Sequence, residues 1–116
     1  VRVTQFVLYD DLDPKCLETG IVRFDGRYFG ALWELCNRHG LSVVADVHTH
    51  PAGSQQSDSD RAHPMISRAG HVALILPNFA ASPIRRDEVG IYRYEGSKRW
   101  SPVPARNRAR FLHIGL

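Results

Sequence analysis

Only two of the 116 residues are cysteine, Cys16 and Cys36. Two thiols without C-x-x-C spacing exclude a disulfide scaffold and a zinc ribbon, and they are read as reduced core thiols of a cytosolic protein. Long apolar runs are also missing. The longest, Val72 to Leu76, is far below the ~20 residues that cross a bilayer, so no membrane association is expected. No charged-then-apolar leader with a small-residue cleavage site opens the chain, which leaves secretion without support and the cytoplasm as the expected compartment. Internal repeats and low-complexity segments are absent as well. What remains is an ordinary globular composition, 43% hydrophobic and 23% charged, on a length that suits one domain.

Charge is divided along the chain. Residues 1–60 hold five Lys+Arg against nine Asp+Glu, whereas residues 61–116 hold ten against three. A basic half can be a nucleic-acid footprint. Here the cations are interspersed with apolar and turn residues, and no recognition motif accompanies them. The favoured reading is a solvated basic face, with docking of an acidic protein partner as a second reading; nucleic acid is not an expected partner.

The hydropathy pattern alternates between strand and helix signals. Arg2 to Tyr9 and Gly20 to Phe24 read as strands, separated by the acidic turn Asp10 to Pro14. From Tyr28 to His39, Phe29, Leu32, Trp33, Leu35 and Cys36 recur at helical spacing, which predicts a helix that buries Phe29, Leu32 and Trp33 and stops at Gly40. Leu41 to Val47 reads as a buried strand. Pro51 to Asp60 is almost wholly polar although it separates two apolar runs, and such loops inside compact domains are usually functional. A short helix is expected over Arg61 to Arg68, capped by Asp58, Ser59 or Asp60, followed by strands at His71 to Leu76 and Val89 to Tyr94. The tail is expected to end in a short strand or helix, with Trp100 packing it onto the sheet. The order predicts an α/β (α+β) domain with a single mixed sheet and covering helices.

The chemistry concentrates in Val47 to Asp60. His48 and His50 are two apart at a strand end, so both imidazoles face one point. Pro51 ends the strand, Gly53 allows the chain to turn, and the carboxylates of Asp58 and Asp60 return within reach. Two imidazoles and one carboxylate suit Zn²⁺ with a fourth position left open, where a metal lowers the pKa of water and polarises a carbonyl. An H-x-H pair alone is a weak signal, equally compatible with a polar loop leading into a helix cap.

The wider pattern is more specific. His48-Thr49-His50-Pro51, a short loop, and Ser57-x-x-Asp60, set between an apolar strand and a helix, resemble the JAMM/MPN+ (JAB) metalloprotease family. Bacterial JAB proteins encoded beside ubiquitin-like conjugation systems look most similar. The tract from Val43 to Pro77 carries most of the resemblance. It implies a JAB/MPN-type fold with cytidine-deaminase-like layering. It implies one zinc per chain, held by His48, His50 and Asp60, and Ser57 as the donor to the oxyanion. Thr49 is expected to point to the opposite face and pack. Asp58 is the rival third ligand, and the loop from His50 to Asp60 is one residue shorter than the family's usual spacing.

The family also uses an upstream glutamate as general base. Glu18 in Leu17-Glu18-Thr19-Gly20 is one candidate. The expected position, however, lies before Val1, so that residues 1–116 form a single domain lacking its N-terminal helix and first strand. The implied activity is peptidase or isopeptidase cleavage at the C-terminus of a ubiquitin-like protein, as deconjugation or precursor processing, with conjugation-pathway enzymes as further partners. A non-catalytic JAMM-like interaction module is the alternative.

Overall fold

The computed structural model describes residues 2–15, 27 and 29–113. They fall into two compact units, Val1–Val43 and Val44–Leu116. No described helix is long and apolar enough to cross a membrane.

The first unit contains two helices, α1 (Tyr9–Leu12) and α2 (Phe29–His39), which touch each other. Helix α2 forms where the apolar spacing predicts it and buries Leu32 and Cys36. Gly40 adopts φ +62°, and the Leu41 N–H reaches the Cys36 carbonyl at 2.9 Å, which closes the helix with a Schellman bond. Arg38 places positive charge in its last turn, where the helix dipole favours it.

Three expectations fail in this unit. Residues 2–8 form no strand, and the acidic stretch after them is helical rather than a turn. Trp33 is 43% exposed and stacks on Phe29 at 5.7 Å instead of entering the core. The i, i+4 position of Phe29 and Trp33 lets two aromatic rings cover each other on the helix surface without burial. The strand expected at Gly20 to Phe24, together with Cys16 and Glu18, lies outside the described residues.

The second unit is a single mixed sheet in the order β1-β2-β3-β4. Its strands are β1 (Ala45–Thr49), β2 (Val72–Leu76), β3 (Gly90–Gly96) and β4 (Arg99–Pro102). Strands β1 and β2 run parallel, with Ala45 opposite Val72 and His48 opposite Ile75. A parallel pair needs a crossover. Here the polar loop and helix α3 (Asp58–Ala62) supply it. The other two pairs are antiparallel. Along β2 the burial alternates, and Ala73 and Ile75 enter a core shared with Val89, Ile91 and Tyr94. Helix α4 (Ala105–Phe111) ends the described chain, and its Arg108 guanidinium donates to the carbonyls of Val103 and Asp87.

Strand β1 begins later than the apolar run suggests and carries the first histidine within it. Helix α3 starts three residues early and is short: its N-cap is Ser57, not one of the three residues after it, and it stops before His63-Pro64. Strand β4 was not evident from the pattern. It forms because Ser97 and Lys98 adopt left-handed φ of 50° and 59°, which turns the chain into a tight hairpin. Trp100 in β4 packs edge-on against Tyr94 at 4.9 Å, and its indole N–H donates to the Arg61 carbonyl. The ring therefore ties β4 to the end of α3.

Candidate metal centre

Strand β1 places Asp46 and His48 on one face by its two-residue repeat, and His50 continues that face just beyond Thr49. The backbone there is held at several points. The His50 N–H donates to the Leu76 carbonyl at 2.9 Å, the Phe79 N–H donates to the His50 carbonyl at 2.9 Å, and the Asn78 N–H to the Ala52 carbonyl at 3.0 Å. The turn that supplies the last two is unusual, because Asn78, Phe79 and Ala80 all have φ between 52° and 55°. Thr49 is exposed rather than packed.

The loop from Pro51 to Gln56 is gripped from below. The Tyr92 hydroxyl donates to the Ser54 carbonyl at 2.9 Å. Gly90 lies directly beneath, where a Cβ would overlap the same carbonyl oxygen, so the close passage of strand and loop requires glycine. The loop then enters α3 through a capping box. Ser57 Oγ accepts from the Asp60 N–H at 3.0 Å, and the Ser57 N–H donates to Asp60 Oδ2 at 2.8 Å.

This box aims Asp60. Its Oδ1 lies 3.3 Å from His48 Nε2, and its Oδ2 lies 3.1 Å from His50 Nε2. The two Nε2 atoms are 3.1 Å apart. The three side chains are all partly buried, and their donor atoms form a group able to hold a metal ion. Zinc binds nitrogen and oxygen ligands at about 2.0–2.2 Å, so adjacent corners of a tetrahedron around it stand roughly 3.3 Å apart. The 3.1 Å between the two Nε2 atoms, and the two carboxylate oxygens standing 3.3 Å from one and 3.1 Å from the other, are close to that spacing. Asp58 is not part of it: the side chain is 97% exposed and pairs with Arg61.

The electrostatics follow from these contacts. Burial pushes the Asp60 carboxyl upward, but the Ser57 hydrogen bonds and the two imidazoles outweigh it and leave the group below its ordinary value. His48 is raised, foremost by the Asp46 carboxylate and then by Asp60 against the opposing effect of burial. Asp46 is pushed up by burial and pulled down further by His48 and His71, with a net lowering.

Asp46 and His71 are the site residues that sequence reasoning did not single out for a role. His71 is buried, and its Nε2 lies 2.8 Å from Asp46 Oδ1. The other Asp46 oxygen stands 3.7 Å from His48 Nδ1. The available signal was the period of two, Asp46-x-His48-x-His50, which puts a carboxylate on the face of the histidines. Glu18, the one general-base candidate within the chain, lies outside the described residues.

No family profile matches the chain. Over 77 residues, 66% of its length, it is 31% identical to the probable metalloprotease y4jG of Sinorhizobium fredii. The match covers 48% of that protein, so the chain spans about half the length of this relative. A polar loop between two parallel strands thus brings two imidazoles and a carboxylate into a group that could hold a metal ion, in a chain similar to a probable metalloprotease.

Proposed function

We propose that this chain carries the zinc centre of a JAMM-type peptidase or isopeptidase that cleaves at the C-terminus of a ubiquitin-like protein. The observation that carries this reading is the convergence of His48 Nε2, His50 Nε2 and the Asp60 carboxylate to 3.1–3.3 Å of one another. Zinc held by these three groups supplies Lewis acidity toward a carbonyl and toward water.

The chain's own residues do the rest. The capping box holds Asp60 so that its carboxylate meets both imidazoles without a change of rotamer. Ser57 Oγ accepts from the Asp60 N–H, and its O–H, which also bonds the Asp60 carboxylate, is the group that turns to donate to the oxyanion forming at the scissile carbonyl. Asp60 spends a ligand oxygen on the Ser57 N–H, so the oxyanion donor and the metal ligand are fixed to each other. The general base is assigned to a glutamate, for which Glu18 is the candidate within this sequence. The substrate tail lies extended across the site, in the manner of a strand added to a sheet. Enzymes of the conjugation pathway are further partners, and the compartment is the cytoplasm.

The test is hydrolysis of a ubiquitin-like protein fused at its C-terminus to a reporter, with the full-length protein. Cleavage is expected to stop on chelation and in His48→Ala. Cleavage that survives both would remove the metal mechanism. One zinc per chain with no turnover of any fusion would point to an interaction module instead.

A further inference from the structure

The groups around the metal-ligand candidates form a longer chain than the three ligands alone. His71 stands just before β2, and its side chain is 2% exposed. Its Nε2 contacts Asp46 Oδ1 at 2.8 Å, while its Nδ1 is buried without a hydrogen-bond partner. The contact is therefore the one polar interaction that the His71 side chain makes among the described residues, and it holds the Asp46 carboxylate. The second Asp46 oxygen faces His48 Nδ1 at 3.7 Å. On the far side of the same ring, Nε2 faces Asp60 and His50. The imidazole thus has one nitrogen turned to an anchored carboxylate and the other to the ligand triangle.

We infer that Asp46 is a positioning residue, anchored by His71, that orients His48 and fixes its tautomer so that Nε2 is the ligating nitrogen. The inference rests on the zinc reading above. A carboxylate facing Nδ1 favours a proton on that nitrogen, which leaves the Nε2 lone pair available. The strand geometry makes the arrangement local: Asp46 is two residues before His48 on the same face of β1. His71 reaches Asp46 because the parallel register sets Ala45 beside Val72. Outer carboxylates of this kind are worth about 10–100-fold in metal affinity where they have been removed.

The experiment measures zinc affinity of the whole chain by competition with a chromophoric chelator, for the wild type, His48→Ala and Asp46→Asn. Asn keeps the volume and, with its one oxygen kept toward His71, turns an N–H donor toward His48. Asp46→Asn is expected to bind zinc about 10–100-fold more weakly while retaining a cooperative melt. A purely structural role would lower the melting midpoint and leave the affinity unchanged, and that result overturns the inference. A second readout needs no variant. In the zinc-loaded wild type, nitrogen-15 NMR is expected to show His48 protonated at Nδ1. A proton at Nε2 with zinc on Nδ1 overturns the inference even if Asp46→Asn fails to fold. Zinc binding that is absent from the wild type, or unaltered in His48→Ala, removes the zinc reading and this inference with it. Zinc lost in His48→Ala but unweakened in Asp46→Asn removes only the role of Asp46.

Discussion

Gly90→Ala isolates the support beneath the metal loop. Gly90 is buried in β3, and an added Cβ would overlap the Ser54 carbonyl oxygen while coming 3.0 Å from Tyr92 Cε2. The obstacle is backbone, which cannot swing aside like a flexible side chain. The loop would have to lift by roughly an ångström, and the 2.9 Å bond from the Tyr92 hydroxyl to Ser54 would be lost. A lost hydrogen bond costs about 1 kcal/mol. Overpacking adds about 1–3 kcal/mol. Reduced freedom of the unfolded chain returns about 0.5 kcal/mol. The expected net destabilisation is therefore about 1.5–3.5 kcal/mol. Gly53→Ala is the matched control, because a Cβ there meets nothing within 4 Å. It is expected to fall within about 0.5 kcal/mol of wild type. Urea denaturation of the zinc-free chain at one pH measures both. A Gly90→Ala value within about 0.5 kcal/mol of wild type, or equal costs at the two positions, would refute the close-approach reasoning.

Ser57→Ala removes the acceptor for the Asp60 N–H and is expected to cost about 1 kcal/mol of stability. In the proposed reaction the same change is expected to lower kcat by about 100–1000-fold, with Ser57→Thr restoring most of both; a stable, fully active alanine variant would deny Ser57 either part. The zinc-free chain should also respond to pH. His48 is raised in the fold, so its charged form stabilises the chain below its ordinary value of about 6.5, and that contribution fades as pH rises through the raised value. Zinc needs neutral imidazoles, so the loaded chain is expected to gain stability over the interval from about pH 6.5 to 8 where the zinc-free chain loses it. Melting midpoints that run parallel with and without zinc would count against the assignment.

Helix α2 and strand β2 were legible because their signals are local: a 3.6-residue apolar period ended by Gly40, and a short apolar run with alternating burial. Arg2 to Tyr9 misled because β-branched and aromatic composition describes what a sheet accepts, whereas a strand also needs a ladder partner. Residues 2–8 have none among the described residues, and Phe6 is 86% exposed. Strand β4 failed the other way. Arg99-Trp100-Ser101-Pro102 has no apolar alternation, and its pairing is imposed by the turn before it; its last residue, Pro102, sits on an edge strand where a missing N–H is tolerated. At the site, His48, His50, Ser57 and Asp60 were readable because two short-range geometries, strand period and helix cap, bring them together. The link between Asp46 and His71 spans 25 residues and exists only through the register of β1 on β2. No local pattern encodes it.

The helix cap also decides between the two acidic residues of the loop. An N-cap side chain reaches forward to the third helical residue, and in a capping box that residue's side chain reaches back to the N-cap. Asp60 occupies that third position after Ser57, so its carboxylate is turned toward the start of the helix and from there toward β1. Asp58 is the first helical residue, and its side chain leaves the helix toward solvent and Arg61. The Ser57–Asp60 interval is therefore set by helix geometry, not by the length of the loop before it. A loop one residue shorter than in the family this chain resembles changes the path from Pro51 to Gln56, where Tyr92 and Gly90 hold the backbone. It leaves untouched the relation between the cap and the carboxylate. The candidate metal site and the beginning of α3 are in this sense one structure: whatever uncaps the helix also releases the Asp60 carboxylate from the two imidazoles.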